Sequence, residues 1–196
     1  MYNLKEKEMI FVFTGPDGSG RKTVSKLAGD TLQMKTVVSY TTRNKRHYEV
    51  EGRDYHYISR EDFLAAEKNG EFFESVEIDG NLYGIKEQDI IERFQQKGCI
   101  YLVLNIEGTE QIKKHFGDKV VRIFVHADRE TVVKRQEERG NSQEEIELHL
   151  AHFDQDIQYK EQCEFSIQNY ELSYTVFEVT QTMEKYLLEK TSSKKE

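Results

Sequence analysis

The chain of 196 residues has no tryptophan, one proline and two cysteines. Two cysteines, Cys99 and Cys163, are too few for the disulfide framework that staples small secreted domains. No apolar run approaches the roughly 20 residues that a membrane-spanning helix needs, and the first residues lack the layout of a signal peptide. We therefore expect a cytoplasmic protein that has no membrane partner.

Positive charge is also in short supply, because 36 acidic residues outnumber 28 basic ones and the formal net charge is −8. This balance disfavours a nucleic acid as partner, since backbone phosphates repel an acidic protein. It leaves room for a locally basic pocket that binds a phosphorylated small molecule. With 11 Phe and 11 Tyr to build a core, we expect one folded domain rather than a disordered chain.

The single proline lies in a glycine-rich stretch, GPDGSGRKT, at residues 15–23. The usual phosphate-binding loop reads G-x-x-x-x-G-K-[ST]. Gly15 and Gly20 have that spacing, but Arg21 stands in the lysine slot and Lys22 in the Ser/Thr slot. The apolar run MIFVF before the stretch predicts a buried strand, and the residues after it predict a helix. Strand, glycine turn and helix form the context that such a loop requires.

Short apolar runs alternate with helix-like segments along the rest of the chain. The pattern predicts strands at 9–15, 99–106, 120–127 and 164–169, a hairpin at 71–85, and helices at 21–34, 59–70, 87–98, 128–140, 142–162 and 173–189. Strands that alternate with helices indicate a parallel α/β sheet flanked by helices. Residues 37–85 interrupt this alternation and therefore indicate an inserted subdomain.

Four further stretches carry a resemblance to a known family. They are SYTTRNKRHYEVEGRDYHYISREDF (39–63), GEFFESVEIDGNLYG (70–84), LVLNIEG (102–108) and VVKRQEERGNSQEEI (132–146). Together with the glycine-rich loop, they resemble the guanylate kinases among the P-loop nucleoside monophosphate kinases. The match runs in the expected order over about residues 9–169, and the 39–63 stretch is its most specific part.

The resemblance implies a P-loop kinase fold in one domain, 1–190, followed by a tail at 191–196. The core would comprise about 1–37, 86–133 and 151–190, the GMP-binding subdomain about 38–85, and a small lid about 134–150. The implied reaction moves the γ-phosphoryl group of ATP to GMP, with GMP and ATP as partners. The sequence does not indicate an oligomeric state.

The acceptor side of the family pattern is largely present. By resemblance, Arg43, Arg46, Tyr55 and Tyr83 would hold the GMP phosphate, a role that suits the guanidinium fork and the phenol hydroxyl. The residues that would contact the rest of GMP are Ser39, Glu74 and Asn105. A carboxylate suits guanine, which presents a ring N–H and an exocyclic amine side by side. Ile85 stands where the family has a Ser or Thr, so base recognition is altered.

The donor side departs further from the family pattern. The ATP-binding residues implied by the resemblance are Gly15, Gly18, Ser19, Gly20, Arg21, Lys22 and Thr23, and the catalytic ones are Arg21, Lys22, Arg135 and Arg139. Mg²⁺ is expected from the family, but Val103 and Asn105 stand where relatives carry acids, so we assign no metal ligand. His149 replaces a further lid arginine. We hypothesise that the Lys22 ammonium partly replaces the charge of Mg²⁺.

Three functions remain open on these residues. The first is a guanylate kinase-like phosphotransferase with slow turnover or altered metal dependence. The second is a catalytically inactive guanylate-kinase-like module that binds GMP, another nucleotide or a phosphorylated partner, because the changes at Arg21, Val103, Asn105 and His149 all affect turnover or its metal. The third is a kinase that uses another nucleotide acceptor. The overall resemblance favours the first.

Overall fold

The computed structural model describes residues 4–5 and 7–192 of the chain. In chain order the strands are β1 (Met9–Thr14), β2 (Lys35–Thr36), β3 (Tyr40–Thr41), β4 (His56–Tyr57), β5 (Phe72–Ile78), β6 (Asn81–Lys86), β7 (Cys99–Val103), β8 (Val120–His126) and β9 (Phe165–Gln168). The helices are α1 (Arg21–Thr31), α2 (Arg60–Lys68), α3 (Glu87–Lys97), α4 (Ile106–Phe116), α5 (Arg129–Glu138), α6 (Gln143–Ala151), α7 (Phe153–Gln158) and α8 (Leu172–Ser192). None of these described helices is long and apolar enough to cross a membrane.

A parallel sheet with the strand order β2-β7-β1-β8-β9 forms the centre of the molecule. Its middle strand, β1, is buried along its whole length. Phe11 and Phe13 pack on the face covered by α1 and α8, whereas Ile10 and Val12 pack on the face covered by α3 and α4. Side chains alternate between the faces of a strand, so both faces of β1 are apolar because helices cover both. The predicted parallel α/β sheet flanked by helices is confirmed.

A second sheet, with the order β4-β3-β6-β5, lies within the segment that interrupts the α/β alternation. The antiparallel pair β5 and β6 is the predicted hairpin, and its turn places Asp79 and Gly80 at φ 48° and 74°. An Asp-Gly pair favours such a turn because both residues need a positive φ. Helix α2 begins after Ser59, whose hydroxyl accepts the Asp62 N–H. The limits of the proposed core, subdomain and lid stay predictions.

Several predicted elements differ from the observed ones. The prediction of a single helix at 142–162 is wrong. The helical structure is interrupted at His152, between α6 and α7, and α7 is followed by a 3-10 turn at Tyr159–Gln162. Helix α4 was not predicted, and β7 ends at Val103 rather than at residue 106. Helix α8 extends to Ser192, two residues into the predicted tail, and 193–196 lie outside the described residues.

Candidate functional site

The glycine-rich loop connects the carboxyl end of β1 to the first turn of α1. Its glycines Gly15, Gly18 and Gly20 have φ of 132°, 81° and 95°, values that other residues rarely adopt. A Cβ atom on Gly15 would lie 2.1 Å from the Val125 carbonyl oxygen of β8. The loop therefore needs glycine both for its turns and for its close packing. A loop that opens a helix in this way presents backbone N–H groups to an anion.

The guanidinium of Arg21 is engaged by the protein itself. Its Nη1 donates to the Leu104 carbonyl oxygen at 3.1 Å, and its Nη2 donates to the Asp17 carboxylate within the same loop. Only 16% of the Arg21 side chain is exposed. The residue that stands in the lysine slot therefore lies across the mouth of the loop, from Asp17 to the residue after β7.

Lys22 reaches across to the segment before β4. Its Nζ lies 4.0 Å from the centre of the Tyr55 ring and 3.9 Å from the Asp54 carboxylate. Burial lowers the pKa of Lys22 to about 8, and the negative charge of Asp54 opposes that shift. An ammonium over an aromatic face is attracted by the ring quadrupole. Lys22 thus links the loop side of the cleft to Tyr55, a residue predicted to bind phosphate.

A buried carboxylate, Glu49, organises the two arginines of this region. Arg43 Nη2 donates to both Glu49 carboxylate oxygens, at 2.8 and 3.0 Å, and the Arg46 backbone N–H donates at 2.9 Å. Burial raises the pKa of Glu49, but these hydrogen bonds outweigh it and lower the pKa to about 2. Sequence reasoning missed Glu49, although an acid within the basic run RNKRHYE was a usable signal.

The aromatic residues of this cluster lie against each other. The ring centre of Tyr55 is 5.9 Å from that of Tyr83, and the Arg43 guanidinium lies 5.5 Å from the Tyr55 ring centre. Burial raises the pKa of the Tyr55 hydroxyl well above its usual value, so it remains a neutral hydrogen-bond donor. The structure brings together Arg43, Arg46, Tyr55 and Tyr83, with Lys22 at their edge; we call these five residues the cationic cluster.

Glu74 lies on the same hairpin as Tyr83 and is 3% exposed. Its Oε2 has no hydrogen-bond partner among the described residues, and burial raises its pKa to about 8. A Cβ on Gly108 would lie 2.9 Å from that oxygen, so the carboxyl group packs against the start of α4. Asn105 caps this helix by accepting the Gly108 N–H at 2.9 Å. The start of α4 therefore holds Glu74 and Asn105 close together.

The remaining base-side residues have backbone or core contacts. Ser39, half-buried before β3, accepts the His56 N–H on its backbone carbonyl at 2.9 Å. Ile85 pairs with Glu74 across the hairpin and is fully buried in the core. Val103, the last residue of β7, is partly buried and packs on the face of the central sheet that α1 and α8 cover. Among the residues described here, no group of three or more His, Cys, Asp or Glu side chains could hold a metal ion.

Two arginines of α5 and its end line a cleft beside the loop. Arg135 donates to the Ser19 carbonyl oxygen at 3.2 Å and to the Asn169 carbonyl oxygen at 2.7 Å. The cleft, of about 270 Å³, is lined by Gly20, Thr23, Arg135, Arg139, Asn169 and Tyr170, among others. Burial and the nearby charge of Arg139 lower the pKa of Arg135. The two guanidinium groups would both attract an anion in this cleft. Sequence reasoning missed Asn169, although it is the last residue of the strand predicted at 164–169, and parallel sheets place their sites at the carboxyl ends of their strands.

His149 of α6 lies between the loop and the cationic cluster. Its Nδ1 donates to the Gln136 side-chain oxygen at 2.6 Å, which leaves Nε2 to accept from Arg46 Nη2 at 3.2 Å. Burial and the Arg46 charge lower the pKa of His149, despite the opposing charge of Asp17. His149 is therefore a neutral acceptor at pH 7.

Comparison with known proteins shows which family the chain is similar to. A family model described as guanylate kinase matches residues 7–186. The chain is 31% identical over 164 residues to a guanylate kinase of Fusobacterium nucleatum, covering 83% of this chain and 89% of that protein. It is 31% identical over 181 residues to one of Prochlorococcus marinus, covering 91% and 97%. The crystal structure of guanylate kinase from Anaplasma phagocytophilum is similar with a TM-score of 0.71 and 25% identity, over 94% of this chain and 88% of that one.

Proposed function

Because the chain belongs to the guanylate kinase family, we propose that it transfers the γ-phosphoryl group of ATP to GMP and releases ADP and GDP. One observation carries this proposal. Lys22, in the first turn after the glycine-rich loop, lies 4.0 Å from the ring centre of Tyr55 in the cationic cluster. The loop and the cluster therefore face one cleft, as a donor phosphate and an acceptor phosphate must for direct transfer.

On the acceptor side, the cationic cluster would bind the GMP phosphate. Arg43 and Arg46 supply planar forks that match phosphate oxygens, and Tyr55 and Tyr83 add neutral hydroxyl donors. Glu49 holds the Arg43 guanidinium and the backbone of Arg46 in place before the nucleotide binds. The guanine base would reach Glu74, with Ser39 and Asn105 as the other base-side contacts. Binding of guanine would give the buried Glu74 carboxylate the donors that it lacks in the protein.

On the donor side, the backbone N–H groups of Gly15, Gly18, Ser19, Gly20, Arg21, Lys22 and Thr23 would surround the ATP phosphates. A GMP phosphate oxygen attacks the γ-phosphorus in line, the bond to the β,γ-bridging oxygen breaks, and ADP leaves with that oxygen. Charge on the transferring group would be neutralised by Lys22, Arg135 and Arg139, and by Arg21 once it is released from Asp17. Such chemistry depends mainly on position and charge.

The family resemblance implies ATP and Mg²⁺, but the side chains around this loop do not fit a tightly held Mg²⁺. Lys22 places a cation in the slot where a Ser or Thr hydroxyl meets the ion in P-loop proteins, and Val103 is a partly buried apolar side chain with no oxygen ligand to offer. We therefore derive no step through the metal and propose that this enzyme has altered metal dependence. The Lys22 ammonium would supply part of the missing positive charge.

A second function keeps support from the donor side. Arg21 and Arg135 both donate to backbone carbonyl oxygens, so these guanidinium N–H groups are not free to bind a phosphate. A guanylate-kinase-like module that binds GMP or a phosphorylated partner without turnover would use only the cationic cluster and Glu74. This alternative predicts GMP binding with no transfer.

The two functions are separated by one pair of measurements. Calorimetry of ATP and GMP, each alone, measures binding, and an ADP-release assay with GMP or AMP as acceptor measures transfer. The kinase predicts ADP release that depends on GMP and is lost in Arg43→Ala. GMP binding without ADP release under any metal condition would exclude the kinase and leave the module.

A further inference from the structure

Asp17 is the one acidic residue of the loop at 15–23. One of its carboxylate oxygens pairs with Arg21 Nη2, and the other lies 4.0 Å from His149 Nε2. The side chain is 55% exposed, so it stands in the open cleft and not in the core. The loop, whose backbone N–H groups favour anions, therefore carries a carboxylate of its own, that of Asp17, at its open side.

The groups around this carboxylate come from three separate parts of the chain. Arg21 belongs to α1, His149 to α6, and Arg46 to the stretch between β3 and β4. Arg46 donates to His149 Nε2 at 3.2 Å, on the side of the imidazole that faces Asp17. Partial desolvation raises the pKa of Asp17, but the charges of Arg21 and Arg46, together with the hydrogen bond from Arg21, outweigh this and hold the pKa below its usual value. These groups favour negative charge at the position of Asp17.

We propose that Asp17 is a built-in competitor of the donor phosphates, which sets the affinity for ATP by occupying Arg21 and the mouth of the loop. This inference rests on the proposed function, because it assigns the loop to ATP. A triphosphate that enters the loop meets both the repulsion of a carboxylate and an arginine that is already paired. Binding requires Asp17 to turn away, and the released Arg21 then becomes available to the phosphates.

Asp17 should compete with ATP, the phosphoryl donor, more than with GMP, the phosphoryl acceptor. Asp17 contacts Arg21 directly, whereas Arg46 reaches it only through His149. Arg43 is held by Glu49 instead. Removing the Asp17 charge should therefore strengthen ATP binding and leave GMP binding nearly unchanged.

The test compares Asp17→Asn and Asp17→Glu with the wild-type chain by calorimetry, with ATP and GMP as separate ligands and with Mg²⁺ present or absent. Asp156→Asn is the matched control, because Asp156 on α7 feels the charges of Arg21 and Asp17 without pairing with either. Thermal unfolding of each variant confirms that the fold is intact.

We expect Asp17→Asn to bind ATP roughly tenfold or more tightly, the scale of one charge-assisted contact. Asp17→Glu and Asp156→Asn should stay near the wild type. Unchanged ATP affinity in Asp17→Asn would overturn the inference. So would a loss of Mg²⁺-dependent ATP affinity, which would make Asp17 a metal ligand. ADP release by the wild-type chain tests the proposed function separately, so failure of one is distinguishable from failure of the other.

Discussion

Glu74 is a carboxyl group that the fold withdraws from water without giving its Oε2 a partner among the described residues. A buried carboxylate without a partner is costly, so the group keeps its proton instead. With a pKa raised by burial to about 8, Glu74 is protonated at pH 7. A protonated carboxyl accepts guanine's two N–H donors poorly. Binding of guanine should therefore be coupled to loss of this proton.

Calorimetry can detect that proton directly. At pH 7, GMP binding should release about one proton, seen as an apparent enthalpy that changes with the ionisation heat of the buffer. Because binding releases a proton, GMP affinity should rise with pH up to about 8 and then level off. Glu74→Gln should bind GMP more weakly and release no proton from this site. Equal heats in all buffers for the wild type would contradict the assignment.

Lys22 also has a lowered pKa, because partial desolvation disfavours its charged form, although 45% of its side chain is exposed. If its ammonium replaces part of the metal charge, ATP binding should lose little affinity when Mg²⁺ is removed. In Lys22→Met the affinity without Mg²⁺ should fall roughly tenfold, the scale of one lost charged contact. Lys26→Met is the control, because Lys26 pairs with Asp30 on the exposed face of the same helix. A strong Mg²⁺ dependence that is equal in wild type and Lys22→Met would contradict this role.

At the scale of elements, the start of α4 decides where Glu74 lies. Asn105 satisfies one of the helix's free N–H groups, and Gly108 in the first turn leaves room for the Glu74 carboxyl. The family pattern suggests an acid at position 105, but asparagine is an equally good cap. The contact between α4 and β5 thus shapes the site without any exposed residue.

A pair of glycine substitutions separates this contact from general packing. Gly108→Ala places a methyl group against Glu74, so GMP affinity should fall while thermal stability changes little, since alanine favours the helix. Gly29→Ala places a Cβ 2.3 Å from the Tyr101 ring and should cost about 1–3 kcal/mol of stability through overpacking, with GMP affinity kept. Calorimetry and thermal unfolding measure the two effects. The same pattern of loss in both variants would argue against a specific contact at Gly108.

The elements themselves were largely predictable because their signals are local. The strand β1, the hairpin and the helices α2, α3 and α5 follow from apolar runs, capping residues and the Asp-Gly turn. Helix α4 was missed because the apolar run CIYLVLNI continues through its first residue, and only the Asn105 cap marks the change. The break at His152 has no glycine or proline signal, so one long helix was the natural prediction.

At the scale of the molecule, contacts across the cleft connect its parts. Besides the contact of Lys22 with Tyr55 and that of Arg46 with His149, His152 Nε2 lies 3.8 Å from Asp79 at the turn of the hairpin. The residue types of the site were predictable, but their partners were not. Such pairs join residues far apart in sequence, and their choice depends on how the helices and strands pack together. Hence the contact of Arg46 with His149, which lie 103 positions apart, needed the structure.

In the proposed mechanism, one cleft holds a donor loop and an acceptor cluster for direct transfer. The most direct measurement incubates the protein with GMP and ATP labelled at the γ-phosphorus, and identifies the labelled product. Direct transfer predicts label in GDP, with transfer reduced by at least about tenfold in Arg135→Ala, which removes a positive charge beside the transferring group. Label that stays in ATP under every metal condition while GMP is bound, or that appears only as free phosphate, would contradict direct transfer.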